Sequence, residues 1–195
     1  MATKGEQTRE KILKEANQLF KCKGFGATTI NDLLAATGTT KGNLYFHFSD
    51  KEAVGLEVLR GEQQSFYRFL DQAFQGKSPA AGLDNFFQKA LEKQSRQDFV
   101  GGCLFGNTAL ETSDTAPVFA SLVQEVFAEW TRRFEQQIAL AQAAEQIRTD
   151  VSARGLAEMV VATVEGGIMQ SRLQKSATPL KRSLETLRKV LELKI

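Results

Sequence analysis

Apolar residues recur at helical spacing along nearly the whole chain, and no stretch alternates as a half-buried strand would. Ile12, Leu13, Ala16, Leu19 and Phe20 share one face of a first helix that stops at Gly24. Ile30, Leu33 and Leu34 stripe a short second helix, and Leu44 and Phe48 lie four apart on the inner face of a third. A long helix over about 50–74 follows, anchored by Leu59, Phe66, Phe69, Leu70 and Phe74. Residues 76–82, Gly-Lys-Ser-Pro-Ala-Ala-Gly, read as a linker, with a helix predicted from 83 to 95. Gly101-Gly102 breaks the chain before a short helix near 103–111, and Pro117 opens another that runs to about 144. The last two helices are predicted over 152–174 and 179–193. In the final one Leu180, Leu184, Leu187 and Leu191 make a regular seam, with Met159, Val160, Val164, Ile168 and Leu173 as its expected partners. That spacing fits packing within one chain and packing between two copies equally. The pattern predicts an all-α protein, with a head of helices ahead of the linker and a larger helical body over 83–195.

The boundaries inside residues 28–52 have separate physical causes. Thr29 can cap the second helix, and Asp32 sits in its first turn, where the helix dipole favours an acid. Gly38 stands where that helix ends and a left-handed residue is needed. Thr40 caps the third helix, and Ser49 or Asp50 caps the fourth. Two short helices joined by a glycine turn are helix-turn-helix grammar, which makes double-stranded DNA the first partner to consider.

Charge adds a little. The net charge is only +2, but Lys and Arg outnumber Asp and Glu by eight to five over residues 1–51. A mildly basic head suits phosphate contact at one end, and a chance surplus would look the same. No apolar run approaches the roughly 20 residues of a membrane span, and the polar start lacks a signal-peptide core. Two cysteines, Cys22 and Cys103, make no disulfide framework, so a cytoplasmic protein with reduced thiols is expected. One histidine excludes a His-rich metal site, and no Cys-x-x-Cys, P-loop or dinucleotide fingerprint appears. An all-α enzyme is therefore the weaker reading, and no cofactor is expected.

Gly38-Thr39-Thr40-Lys41-Gly42-Asn43-Leu44-Tyr45-Phe46-His47-Phe48, followed by Lys51-Glu52, resembles the DNA-reading segment of TetR-family transcriptional regulators. Thr8 to Leu13, Ala16, Leu19-Phe20, Gly24-Phe25 and Thr28-Thr29 fit the same pattern upstream, so the resemblance covers about residues 6–66 and implies a three-helix DNA-binding head there. The resemblance implies a regulator, commonly a repressor, that binds a palindromic operator as a homodimer through its last two helices and leaves it when a small-molecule effector binds the body. On residue chemistry, Lys41 and Asn43 are candidates for base edges, Asn43 being able to pair bidentately with adenine. Gly42 lets the backbone approach the groove. Thr28, Thr29, Thr39, Thr40, Tyr45, His47 and Lys51 are candidate phosphate or sugar contacts. Thr29 and Thr40 serve equally well as caps alone.

The body is rich in phenylalanine, so an apolar effector pocket is expected, with Phe66, Phe105 and Trp130 as candidate lining; plain core filling is the competing reading. Gly101-Gly102-Cys103-Leu104, with Leu110-Glu111 and Ser113-Asp114, looks like the NemR-like and AcuR-like branch of the family, some of whose members respond to electrophiles or oxidants. A cysteine at a helix N-terminus can carry a reactive thiolate, and Arg172 is a candidate cationic neighbour. The alternative function is thus a thiol-based sensor acting through Cys103, and the alternative for Cys103 is a small residue that only packs.

Overall fold

The computed structural model describes residues 3–195, and among them every regular element is a helix. In chain order these are α1 (Lys4–Lys23), α2 (Ile30–Thr37), α3 (Lys41–His47), α4 (Lys51–Ala73), α5 (Pro79–Ser95), α6 (Leu104–Thr112), α7 (Pro117–Ala143), α8 (Ala153–Gln174) and α9 (Thr178–Val190). None is long and apolar enough to cross a membrane.

The predicted caps form. The Thr29 hydroxyl accepts the Asp32 N–H at 3.1 Å, and the Asp32 carboxylate accepts the Thr29 N–H at 2.7 Å, a reciprocal box that starts α2. Gly38 ends it at φ 64°, ψ 18°, a backbone that costs glycine nothing. The Thr40 hydroxyl starts α3, and between the two candidates for α4 it is Asp50 that caps, accepting from Ala53 at 2.7 Å.

One linker reading is corrected. Helix α5 begins at Pro79, not Leu83, with Ser78 as its cap and proline at the first position, where the missing N–H costs nothing. Gly82 lies inside the helix because a Cβ there would stand 2.6 Å from the Phe74 carbonyl oxygen. The glycine serves close packing on the end of α4 rather than chain flexibility.

The chain forms two compact units whose boundaries differ from the predicted 6–66 and 83–195. The first gathers residues up to Gln64 with Leu104–Val123, so α6 and the start of α7 belong with the helix-turn-helix. Its core includes Ile12, Ala16, Phe20, Leu33, Leu44, Phe48, Val54 and Phe119. The second holds Ser65–Cys103 and Gln124–Ile195, around Phe86, Phe87, Trp130, Phe134, Val160, Val164 and the α9 leucines. Leu180, Leu184, Leu187 and Leu191 are all buried inside this unit, so the seam is consumed within the chain. Gly167 allows that approach: a Cβ there would meet Leu180 Cδ1 at 2.9 Å. Leu173, expected in the seam, is instead 81 % exposed on α8, with Met169 also exposed nearby.

Candidate functional site

Helix α3 is short, and it is held by few anchors. Leu44 is fully buried and Phe48 nearly so, while Lys41, Gly42, Asn43 and Tyr45 face solvent. The Asn43 amide donates to the Thr39 hydroxyl at 3.0 Å, and the Lys41 ammonium lies 6.0 Å from the Tyr45 ring centroid. Thr40 is exposed and Thr39 half-buried. His47 is half-buried, its ring edge-on to Phe46 at 5.1 Å. Phe46 itself is 82 % exposed, a large ring on the helix that the sequence reading left out of the site. The signal was available: Leu44 and Phe48 fix the inner face, and position 46 falls opposite it.

Two candidate contacts are withdrawn. Thr28 is completely buried, and its hydroxyl donates to the Gly24 carbonyl at 2.6 Å. Lys51 turns its ammonium inward, donating to the Phe25 and Thr28 carbonyls at 2.9 Å each, over the Phe25 ring. Thr29 remains exposed while it caps α2, and Lys23, 2.6 Å from Asp32, is the main reason that carboxyl is held well below the usual carboxylate range, with the Thr29 bonds adding to it. Arg9 pairs with Glu57 at 3.0 Å and lies over the Phe48 ring.

The turn between α1 and α2 is gripped from both sides. Lys51 takes its carbonyls, and the Glu111 carboxylate at the end of α6 accepts the Phe25 and Gly26 N–H groups at 2.9 and 2.6 Å. These are charge-assisted bonds to backbone, each of a kind worth about 1.5–3 kcal/mol and less at an exposed site. Glu111→Gln is expected to speed amide hydrogen exchange at Phe25 and Gly26 by about tenfold, the equivalent of ~1.4 kcal/mol of local opening, while exchange in α5 and α9 stays as it was. Unchanged exchange at both amides would show that the turn holds without Glu111.

In the second unit, the rings offered as pocket lining pack one another. Phe66 meets Trp130 edge-on at 5.0 Å, and Phe86 meets Phe134 at 4.8 Å. Trp130 is 3 % exposed and its Nε1 has no hydrogen-bond partner. Phe105, buried on α6, belongs to the first unit and is not part of this cluster. The expected set therefore divides: Phe66 and Trp130 come together, and Phe105 does not join them.

Cys103 and Arg172 gather at another feature. Gly101 and Gly102 adopt φ 81° and 68°, and the turn they make lies against the C-terminal half of α8. A Cβ on Gly102 would come within 3.1 Å of Arg172 Cδ and 3.8 Å of Ile168 Cγ2. The Lys175 ammonium reaches the Phe99 carbonyl at 3.5 Å. The immediate neighbour of the half-buried Cys103 thiol is an acid: the thiol hydrogen-bonds the Glu165 carboxyl. Burial pushes the Glu165 pKa up to about 7, with the thiol's bond acting weakly the other way. Glu165 escaped the sequence reading, since 62 residues separate it from Cys103 and only tertiary structure joins them.

Comparison with known proteins agrees with this geometry. The profile described as bacterial regulatory proteins, tetR family, matches residues 12–58, and that described as tetracyclin repressor-like, C-terminal domain, matches 79–187. The chain belongs to the TetR family. It is a DNA-binding transcriptional regulator of the repressor type rather than an enzyme. The transcriptional repressor DhaR of a Mycobacterium species is 28 % identical, over 90 % of this chain and 88 % of its own length. The transcriptional regulator AcuR of Cereibacter sphaeroides is 32 % identical, over 81 % of this chain and 73 % of its own. A TetR regulator of Chloroflexus aurantiacus superposes with a TM-score of 0.89 at 32 % identity, covering 98 % of this chain and 97 % of that one.

Proposed function

We propose that this TetR-family regulator reads a palindromic operator as a homodimer and releases it when a small molecule occupies the body. Each copy places α3 in a major groove, in half-sites about 34–36 Å apart. Lys41 and Asn43 read base edges, and Gly42 admits the backbone. Thr29, Thr39, Thr40, Tyr45 and His47 hold phosphate and sugar, and the exposed ring of Phe46 supplies apolar contact, a thymine methyl being its natural match. The observation that carries this reading is the exposure of Lys41, Gly42 and Asn43 together on a helix whose other face is pinned by Leu44. The last two helices serve the dimer. With the α9 leucines used internally, the exposed Met169 and Leu173 of α8 are the apolar surface left for the second copy.

The test is fluorescence anisotropy at fixed salt on DNA from upstream of the protein's own gene, or on a site selected from random sequence. Asn43→Ala is expected to weaken the specific site by roughly 1–3 kcal/mol, about 5- to 150-fold, with little change on unrelated DNA. An unaltered preference would remove Asn43 from the reading set.

A second reading of the signal is favoured by the contact between Cys103 and Glu165: release follows covalent modification of the Cys103 thiol rather than reversible occupancy.

A further inference from the structure

We propose that Glu165 is the proton acceptor of Cys103, so that the pair takes soft electrophiles of the α,β-unsaturated carbonyl class by conjugate addition. The inference rests on the reading of Cys103 as a reacting thiol and assigns a role to a residue beside it.

Three observations converge. The thiol and the Glu165 carboxyl are hydrogen-bonded, so the proton to be moved already lies between donor and acceptor. The other carboxyl oxygen, Oε1, is closed off from solvent and has no hydrogen-bond partner. A carboxyl oxygen buried with no partner is a costly arrangement: structural carboxylates in such places are met by backbone N–H groups or a cation. Third, Glu165, Ile168 and Arg172 lie on one stripe of α8, and both Ile168 and Arg172 stand against the turn that presents Cys103. Arg172 Cδ and Nη1 would lie 3.1 and 3.9 Å from a Cβ on Gly102, the residue that precedes Cys103.

Burial brings the acid close to neutrality as well. An ordinary carboxylate is too weak a base to draw a proton from a thiol; one whose pKa stands at about 7 is better matched to the task.

The step balances without any other reagent. The sulfur electron pair forms the bond to the β-carbon as the S–H proton passes to Glu165. The carbon–carbon π pair shifts to give an enolate. Glu165 then returns the proton to the α-carbon, leaving a neutral thioether and a restored carboxylate.

The experiment follows alkylation by N-ethylmaleimide with mass spectrometry on the intact full-length protein. Both cysteines are read in the same sample, and the exposed Cys22 is the internal standard. In the parent, Cys103 is expected to react, and Glu165→Gln to slow it at pH 7 by at least about tenfold, a floor set below the general-base contributions of roughly 10²–10⁴. Glu165→Asp should recover part of the rate. Cys22 should be unchanged in every variant, which separates lost chemistry from lost folding. An equal rate in Glu165→Gln overturns the proposal. A faster rate overturns it too, because it would mean that the carboxylate merely suppresses the thiolate by like-charge repulsion. If Cys103 stays unmodified in the parent while Cys22 reacts, the covalent reading itself falls, and the role of Glu165 falls with it.

Discussion

Phe86→Ala is expected to destabilise the protein by about 3–5 kcal/mol, the range for truncating a fully buried phenylalanine. Phe86 is 1 % exposed and stands at the centre of the aromatic cluster. Its ring lies 4.8 Å from Phe134 and 5.7 Å from Phe69, both edge-on, with Phe74, Phe87 and Trp130 close behind. Edge-to-face pairs add about 0.5–1.5 kcal/mol each beyond area burial, so the loss belongs at the upper end. Folded domains hold only about 5–15 kcal/mol in total, so this one change removes a third or more of the margin. Urea unfolding followed by tryptophan emission is the measurement, because the single tryptophan, Trp130, lies in the same cluster. Phe86→Leu should cost much less, since it keeps most of the volume. A loss below about 1 kcal/mol for the alanine variant would mean that the surrounding rings collapse into the gap. The body would then be a pliable aromatic interior, and the expectation of a ligand among Phe66, Trp130 and their neighbours would gain ground over simple core filling.

How much of this the sequence carried depends on the range over which each signal acts. The helix-turn-helix was legible because its determinants are local. Thr29, Asp32, Gly38 and Thr40 act within four residues of themselves, and the caps formed where expected. Thr28 was misjudged for the same locality. It adjoins a true cap and shares its residue type, but Thr29 points outward to start α2, so its predecessor turns into the core and bonds Gly24. Gly82 was read by composition as part of a linker, whereas its lack of a side chain serves a contact with Phe74. The Glu111 grip on the turn at Phe25 and Gly26 joins residues 85 and 86 apart, and no periodicity announces it. The packing of α6 was equally hidden: it follows part of the body in sequence but packs with the head. Cys103 was visible as an unusual phrase, yet its neighbour Glu165 changes its chemistry from a thiol beside a cation to a thiol beside an acid.

Asp84→Ala is the second change expected to be large, at about 3 kcal/mol, the low side of the cost of orphaning one member of a buried ion pair. Asp84 on α5 is 8 % exposed. It accepts from the Arg188 guanidinium of α9 and from the Gln88 side chain at 2.6 Å, and Arg188 also lies over the Phe87 ring at 5.5 Å. Removing the carboxylate leaves a guanidinium that is still mostly out of water with only an aromatic face to meet it. That loss, more than the attraction itself, sets the magnitude, which is why the paired change is informative. Asp84→Leu with Arg188→Leu should recover most of the stability, because neither charge then remains to be desolvated. Arg188→Lys should not preserve it, since a point charge cannot both bond the carboxylate through a planar group and stack on Phe87. Thermal and urea unfolding of the three variants measures this directly. If Asp84→Ala costs less than about 1 kcal/mol, the pair behaves as a surface contact. The position of α9 would then rest on its four leucines alone. With the cost as expected, the ion pair fixes the rotation of α9 about its own axis. It turns Leu180, Leu184, Leu187 and Leu191 inward, into the core of the second unit.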